Sequence, residues 1–285
     1  MNARADDFLG LYFDMPNAVY HASPGLSCSG MHALARSPWH HHQLYRNPKR
    51  PPRREKPGQL EGTLMHCALF EPDEFDSRYC TGPNINRNTK DWKNFVASAD
   101  GGGFLSCIQA DQRAVAFAQA DALRALPDVA QLLSAGHPEV AAFAVDPQTG
   151  VLLRCRPDWV HPVGERQVIL FDGKTYSDAA PREFARQIAR KGYHRQAAHY
   201  SRVYELAAGV EVVGFVFGAV ETEWPHAACA VMLDDESLER GRTECRRLID
   251  LYAECVRTDH WPGYPGTVQP VFLPAWAFAT TETIE

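Results

Sequence analysis

The sequence predicts an α/β protein in which a sheet is flanked by helices and preceded by a helical N-terminal third. From residue 139 the apolar residues recur with a period of two, which is typical of strands. Residues 181–209 instead have helical spacing, with Pro181 in the first turn and Gly209 at the end. The 285 residues are 45% hydrophobic and 22% charged, which is the composition of a globular protein with a sizeable core.

The N-terminal third contains helical stretches separated by polar connections. The first helix has Ser27 or Ser29 as its N-cap, and Pro38 ends or bends it. The following segments are, in order, an exposed proline-rich and charged loop at 47–58, a short buried helix at 60–71, a mostly irregular stretch at 81–104 that includes some helix, and an alanine-rich helix pair at 107–136 broken at Pro127.

The remaining chain alternates strands and helices. Its predicted elements are three strands within 139–172 joined by turns at 146–150 and 161–165, helices within 181–209 interrupted near Gly192, strands at 210–221 and 226–234, and a helix at 235–258. We expect one domain over residues 1–285. It comprises a helical part to about residue 136, a sheet core at about 137–235 and a C-terminal helix and tail at 236–285.

Charge and cysteine content bear on compartment and partners. The net charge is -6, but residues 36–57 hold seven Lys or Arg against one Glu, a local footprint suited to a polyanion. The eight cysteines form no CxxC pair, and the N-terminus lacks the apolar run of a signal peptide. No window approaches the length of a membrane span. We therefore expect a cytoplasmic protein without membrane contact.

The segment 154–174 carries the first candidate site. A period of two puts Asp172 and Lys174 on one face of a strand, while Phe171 points to the other face. If Asp158 joins Asp172 in a sheet-lined cleft, the two carboxylates form a hard-oxygen site suited to Mg²⁺ or Mn²⁺. A lysine beside such a site can orient an attacking water or stabilise charge on a phosphate.

Bringing the two aspartates together is expected to need a bend. If the hairpin turn centres on 163–164, mirror pairing sets Cys155 opposite Asp172 and leaves Asp158 about 10 Å away, at ~3.3 Å per residue. Pro157 cannot donate to a ladder hydrogen bond and favours a bend at this point.

The same pattern also fits an ordinary hairpin with solvated charges. A D-x-K triplet arises readily by chance, and Asp91–Lys93 is a second copy in this chain. His66, in an otherwise apolar helix, is either a satisfied core histidine or a third metal ligand. Gln196 and Tyr200 lie four residues apart on one helix face. Each feature is weak alone, but their order along the chain is informative.

Taken in order, the set is similar to a known family. GxxxH ending at His66, "RPD" ending at Asp158, D-x-K and "GYHRQAAHY" as a QxxxY motif resemble the RecB-like branch of PD-(D/E)xK nucleases. More narrowly, "LSCSGMHALARSPWHH", "EGTLMHCALFEPDEF", "EVAAFAVDPQTGVLLRCRPDW" and "WPGYPGTVQPVFLPAW" resemble the RecE (exonuclease VIII) C-terminal nuclease, a relative of lambda exonuclease. The likeness runs from about residue 12 to 278 and implies a PD-(D/E)xK nuclease fold with a central mixed sheet.

The resemblance also implies roles for the candidate residues. The implied metal ligands are His66, Asp158, Asp172 and the backbone carbonyl of Gly173, while Lys174 assists the attacking water and Gln196 and Tyr200 hold the substrate strand or brace the site. Glu139 matches an acidic position of these proteins, although a solvated glutamate at a strand end fits equally well. Ser27 and Ser29, at a helix N-terminus, would hold a terminal phosphate or simply cap the helix.

The activity implied is a Mg²⁺-dependent exodeoxyribonuclease, able to use Mn²⁺, that digests linear double-stranded DNA from 5′ to 3′. It would leave a 3′ single-stranded tail for recombination by a RecT-like single-strand annealing partner. The resemblance further implies a ring-shaped homo-oligomer, a trimer or tetramer, whose channel holds DNA. Candidates to line that channel, or to form a solvated helix face, are Arg186, Arg190, Lys191, Arg195 and the basic run 46–56.

Two other readings stay open. Related proteins usually carry a bulky apolar residue where this chain has Gly173, so a catalytically weak DNA-end-binding protein is one alternative. A Cas4- or AddB-like nuclease with an iron–sulfur cluster is the other. That cluster needs a tight C-terminal cysteine group, and Cys245 and Cys255 are too far apart in sequence, so no cluster is expected.

Overall fold

The computed structural model describes residues 8–52 and 57–273. The strands are β1 (Gly10–Tyr12), β2 (Tyr79–Gly82), β3 (Ser106–Gln109), β4 (His137–Pro138), β5 (Ala141–Val145), β6 (Leu152–Cys155), β7 (Trp159–Pro162), β8 (Gln167–Tyr176), β9 (Glu211–Glu221) and β10 (Ala228–Met232). The helices are α1 (Asn17–Ala22), α2 (Cys28–Arg36), α3 (Pro38–His41), α4 (Gln59–Phe70), α5 (Phe75–Arg78), α6 (Lys90–Ala99), α7 (Ala110–Arg124), α8 (Pro127–Leu133), α9 (Pro181–Lys191), α10 (Tyr193–Ala208) and α11 (Asp235–Thr258). A π-helical turn follows α3 at His42–Arg46, and a 3₁₀ turn precedes α5 at Pro72–Glu74.

A five-stranded mixed sheet forms the centre of the fold, as expected. Its strand order is β10-β9-β8-β7-β4, and β8 pairs with β9 in parallel while the other pairs are antiparallel. The parallel pairing requires a crossover, which α9 and α10 supply between the two strands. A three-stranded antiparallel sheet, β1-β5-β6, and a parallel pair, β2-β3, lie outside this sheet.

Helices cover both faces of the central sheet, and the strand periodicity assigns the faces. Leu170 of β8 belongs to the core that also includes residues of α2, α9, α10 and α11. Its neighbour Phe171 belongs to the opposite core, with residues of α4, α7 and α8. Asp172 and Lys174 therefore lie on the Leu170 face, as the period of two predicts.

Local sequence signals set most helix boundaries. Ser27 caps α2 by accepting a hydrogen bond from the Gly30 amide at 3.2 Å. Proline occupies the first turn of α3, α8 and α9, where a missing amide hydrogen costs nothing. Gly192 separates α9 from α10 with φ of 72°, in the left-handed region that favours glycine. These boundaries confirm the helices expected from the sequence.

The short strands β1 to β4 were not expected from the sequence. Helix α6 occupies much of the stretch 81–104, which was predicted to be mostly irregular. β1 pairs with β5, from which it is separated by about 130 residues, and β2 pairs with β3 across an excursion that contains α6. Strands of two to four residues carry too little periodicity to identify, since distant pairing partners define them. The second predicted strand is divided into β6 and β7, which belong to different sheets.

Among the helices of residues 8–52 and 57–273, none has the length and apolar character needed to span a membrane. Residues 53–56 of the predicted basic run, and the end of the matched C-terminal motif after residue 273, lie outside the described residues.

Candidate active site

The register of the β7–β8 hairpin places the two aspartates at neighbouring positions. Trp159 of β7 pairs with Phe171 of β8. Asp158 precedes Trp159 and Asp172 follows Phe171, so the two aspartates are the next residues along the two antiparallel strands. The expected turn centre was wrong, because the turn is closed further along the chain by the Val163 amide donating to the Gln167 carbonyl at 2.9 Å. The hairpin is thus shifted by three residues relative to the prediction, and the register alone aligns the aspartates.

The bend at Pro157 exists but has a different consequence from the one expected. It moves the chain from the β5–β6 sheet into the central sheet. Cys155, predicted to face Asp172, instead pairs with Ala142 in the small sheet. The bend therefore joins the two sheets at the site, and Pro157 is tolerated because no ladder hydrogen bond is needed there.

Three side chains form a group that could hold a metal ion: His66 of α4, Glu139 between β4 and β5, and Asp158 before β7. One ligand atom from each lies within 4.8 Å of the others. We call these three residues the ligand group. Carboxylate oxygens with one imidazole nitrogen are a donor set that suits divalent cations such as Mg²⁺ or Mn²⁺, so the residues fit a metal.

Backbone contacts of Gly173 orient two members of the ligand group. The Gly173 amide donates to Oδ2 of Asp158 at 2.8 Å. The Gly173 carbonyl is 2.8 Å from Nε2 of His66, and because a carbonyl only accepts, Nε2 carries the proton. Nδ1 of His66 is then left facing Oδ2 of Asp158 at 3.4 Å. The imidazole thus turns its second nitrogen toward the other ligand atoms.

Glu139 is held in an unusual backbone conformation with φ of 51°. Its carboxylate accepts an ion pair from Nε of Arg156 at 2.7 Å, and its amide donates to the Asp158 carbonyl at 3.0 Å. Burial, with the nearby Asp158 charge, raises the pKa of Glu139 to about 7, while Arg156 acts in the opposite direction. The structure therefore places Glu139 beside Asp158 with its side chain only 27% exposed.

Asp172, Lys174 and Gln196 form the second half of the site, which we call the interlocked group. Asp172 is 1% exposed, and Nε2 of Gln196 donates to its Oδ2 at 2.5 Å. Nζ of Lys174 forms an ion pair with its Oδ1. Burial lowers the pKa of Lys174, against the opposing effects of Asp158 and Cys28. The group fixes the ammonium beside the ligand group.

Gly173 sits where the sequence resemblance predicts a bulky side chain. A Cβ atom built at this position would lie 3.4 Å from Cε of Met65 and 3.4 Å from Cε2 of Phe70. The side chains of α4 thus occupy the space that a larger residue would fill. Glycine at this position brings α4, with His66, close to the strand backbone.

Other predicted site residues lie at varying distances from this centre. Tyr200 packs its ring against Phe215 in the core of α10 and β9, and burial raises its pKa well above the ordinary value. Ser27 acts as a cap, and Ser29 is exposed in the first turn of α2. Gln196 is therefore the α10 side chain that contacts an acidic residue of the site.

The predicted cationic residues of α9 and α10 have mixed surroundings. Arg195 forms an ion pair with Glu244 of α11 at 3.3 Å, and Arg186 pairs with Glu183 on its own helix at 2.7 Å. Arg190 and Lys191 are exposed at the end of α9. Their predicted role in a DNA channel stays a prediction.

Sequence reasoning missed two neighbours of the site. Arg156, which binds Glu139, lies inside the quoted "RPD" motif, so the motif itself held the signal. Tyr193 places its ring 5.1 Å from Nζ of Lys174, a distance typical of a cation–π contact. Tyr193 lies inside the quoted "GYHRQAAHY" stretch but outside its QxxxY residues, and it meets Lys174 because α10 packs on the sheet.

With this geometry established, comparisons with known proteins identify the family. The model of a family described as "PDDEXK-like domain of unknown function (DUF3799)" matches residues 27–271, and the chain belongs to that family. This confirms the predicted PD-(D/E)xK membership and the fold class. Membership of this family supports a nuclease enzyme. No curated protein sequence matches the chain significantly.

A solved structure agrees with the fold, and a second shows a weaker likeness. A protein from Eubacterium rectale described as a "putative exonuclease" is similar with a TM-score of 0.55 and 11% identity, covering 92% of this chain and 97% of that one. An alkaline exonuclease from Laribacter hongkongensis matches with a TM-score of 0.25 and 13% identity, over 48% of this chain and 68% of that one. The first of these likenesses supports the fold, which extends over nearly the whole chain.

Proposed function

We propose that this protein is a Mg²⁺-dependent exodeoxyribonuclease that digests linear double-stranded DNA from 5′ to 3′. The observation that supports it most is the convergence of Asp158 and Asp172 in one hairpin register, with Lys174 and His66 beside them. Two carboxylates and a lysine from the β7–β8 pair, with a histidine from α4, match the set of groups used in metal-dependent phosphodiester hydrolysis. The similar "putative exonuclease" fold favours attack at a DNA end.

The ligand group would hold the metal ion, with the carbonyl of Gly173 and Asp172 as further proposed ligands. When bound, a divalent ion would lower the pKa of a water molecule and neutralise charge developing on the phosphate. Mn²⁺ is expected to replace Mg²⁺, because both prefer oxygen and imidazole donors of this kind.

The protein's own side chains supply position and charge. Asp172 holds Nζ of Lys174 near the ligand group, so the remaining ammonium hydrogens can donate to an attacking water or to a phosphate oxygen. Nε2 of Gln196 donates to the other oxygen of Asp172 and limits the movement of that carboxylate. Arg156 holds the carboxylate of Glu139. Tyr200 supports this arrangement as part of the α10 core.

The assembly and partner are also proposals. A ring-shaped trimer or tetramer would reconcile a net charge of -6 with a DNA substrate, because only the inner channel must be positive. A RecT-like annealing protein would use the 3′ tail left by digestion. Both follow from the resemblance to the RecE nuclease. The contacts of Gly173 do not favour the alternative of a catalytically weak protein, since α4 fills the space beside it.

The test is digestion of end-labelled linear duplex, compared with circular and single-stranded DNA, in Mg²⁺, Mn²⁺ or EDTA. We expect release of 5′-mononucleotides from the linear duplex only when a divalent metal is present. Lys174→Ala should abolish it. The matched control is Lys93→Ala, which removes the lysine of the second D-x-K triplet, on the exposed helix α6. Wild-type protein that digests no substrate with either metal would refute the enzymatic proposal.

A further inference from the structure

Aromatic side chains meet on a surface away from the catalytic residues. They come from α3, from the π-helical turn after it, and from the segment that follows α11. The Trp39 amide donates to the Pro262 carbonyl at 3.0 Å, which attaches the second segment to the first. We call Trp39, His40 and Tyr264, with the cationic residues near them in sequence, the aromatic–basic surface.

The inner part of this assembly is a packed anchor. His41 is buried, stacks on Trp261 with ring centroids 5.7 Å apart, and contacts Tyr252 of α11 at 5.1 Å. Burial, with the nearby Arg46 and His42 charges, lowers the pKa of His41 to about 4. A neutral histidine in this setting fixes the position of the outer rings.

The outer rings are left open. Trp39 is 49% exposed and Tyr264 is 68% exposed. His40 bridges them, with ring centroids 5.4 Å from Trp39 and 5.3 Å from Tyr264. Large apolar rings that touch each other and face solvent mark an interaction site more often than scattered ones do.

Charge indicates the kind of partner. Residues 36–52 contain four cations, Arg36, Arg46, Lys49 and Arg50, and no acidic residue, in a chain of net charge -6. Arg46 also lies 5.2 Å from the ring of Trp261. The acidic side chains of α11 that share a cleft with Arg46 are Asp250 and Glu254, and each is bound by an arginine, Arg246 at 2.6 Å and Arg257 at 2.7 Å. Asp259, which accepts from Nε1 of Trp261 at 3.1 Å, is a further acidic neighbour, and the four cations outnumber it.

The position of the surface connects it to the catalytic site. Helix α2 begins close to that site. The Leu26 carbonyl, two residues before Cys28, accepts from the Arg154 amide at 3.1 Å, and Arg154 is two residues before Arg156, which binds Glu139. The helix ends at Arg36, three residues before Trp39. Its nine residues span about 13.5 Å, or about four nucleotides at the ~3.4 Å rise of one DNA strand.

We propose that the aromatic–basic surface binds single-stranded DNA, with bases stacked on Trp39 and Tyr264 and phosphates paired with Arg46, Lys49 and Arg50. Every base offers a ring face, and a single strand exposes its bases where a duplex does not. A strand freed at the catalytic site would reach this surface within a few nucleotides. The inference rests on the proposed function for the source of that strand, while binding itself can be measured separately.

The experiment is fluorescence anisotropy of a labelled oligo(dT) with the full chain, in EDTA so that no digestion occurs. Trp39→Ala and Tyr264→Ala should each weaken binding by roughly 5- to 150-fold, the effect of losing one stacking ring. Trp39→Phe keeps a ring and should retain most of the affinity. Lys49→Gln should make the dependence of log affinity on log salt shallower by about 0.7, the change for one phosphate contact.

Trp224→Ala is the matched control, because Trp224 is 86% exposed in the connection between β9 and β10. It should bind oligo(dT) as the wild type does. Thermal unfolding of each variant shows whether the fold is kept. Wild-type affinity in both Trp39→Ala and Tyr264→Ala would overturn the proposal. So would a change in sedimentation of Trp39→Ala at unchanged oligo(dT) affinity, which would assign the surface to a second copy of the chain.

The two proposals fail in different ways. If the wild type digests no DNA but the ring variants lose oligo(dT) binding, the proposed function fails and the single-strand surface stands. If the wild type digests linear duplex while the variants bind oligo(dT) normally, the single-strand surface fails alone.

Discussion

The two halves of the candidate site differ in how their charges are compensated. In the interlocked group, both oxygens of Asp172 have partners, an ammonium on one side and an amide on the other. In the ligand group, two carboxylates and an imidazole face one another, and Arg156 is the cation that contacts Glu139. The first half thus pairs its one carboxylate with a cation. The second half has more negative charge than its neighbours compensate.

This difference indicates a division of labour. Adjacent carboxylates disfavour each other's ionisation, which is why burial together with the Asp158 charge raises the pKa of Glu139 to about 7. Such unfavourable arrangements are concentrated at functional sites, where a ligand relieves them. A cation would relieve the ligand group, whereas Asp172 of the interlocked group already has an ammonium partner and keeps Lys174 in place. The following predictions separate the two halves.

The largest expected effect is on the rate of digestion, and it should follow from breaking either half. Asp158→Ala removes a ligand, and Lys174→Met removes the ammonium while keeping much of the side-chain volume. Each should lower the rate of linear-duplex digestion by at least about 10²- to 10³-fold, the cost of losing one preorganised electrostatic group. Initial rates measure this. A rate within tenfold of wild type in either variant would contradict the assignment.

A divalent metal should stabilise the protein mainly through the ligand group. With Mg²⁺ or Mn²⁺ at 100 times its dissociation constant, the free energy of unfolding should rise by about 2.7 kcal/mol. Glu139→Gln should lose most of this increment. Denaturant unfolding with and without metal gives the increment for each protein. The control is Glu211→Gln, because Glu211 is exposed at the start of β9. If metal raised the free energy of unfolding equally in Glu139→Gln and in wild type, Glu139 would not be a metal ligand.

The interlocked group should contribute to stability without metal. Gln196→Leu leaves an oxygen of the buried Asp172 without its donor, which costs about 1–3 kcal/mol. Urea unfolding in EDTA measures this cost. Gln131→Leu, on the exposed side of α8, should change stability by less than about 0.5 kcal/mol. Equal effects of the two substitutions would show that Gln196 does not hold Asp172.

The smallest effect is expected at Gly173, between the halves. A Cβ here meets Met65 and Phe70 at ordinary contact distance, so Gly173→Ala should change the free energy of unfolding by less than about 1 kcal/mol. Gly173→Leu should overpack against α4 and cost about 1–3 kcal/mol. Adding Phe70→Ala should recover part of that loss, which a double-mutant cycle would measure. Gly164→Ala, which meets nothing within 4 Å, is the control.

Much of the fold could be predicted because its signals are local. The strand period separated Phe171 from Asp172 and Lys174, and prolines and glycines marked the ends of α8, α9 and α10. The hairpin register was predicted wrongly. The sequence gives several plausible turn centres between 161 and 166, and a shift of three residues depends on which strand residues find partners across the sheet.

The sequence by itself determined the helices and main strands, the order of the motif residues and the family to which they belong. Only the tertiary structure decided that Glu139 lies beside His66 and Asp158. It also decided that Gln196 and Lys174 bind the two carboxylate oxygens of Asp172, and that Phe70 fills the space beside Gly173. Local signals such as helix caps, prolines and strand periodicity act between residues that are only a few positions apart in sequence. The site joins segments from residue 66 to residue 196, and their distances depend on how α4 and α10 pack on the sheet.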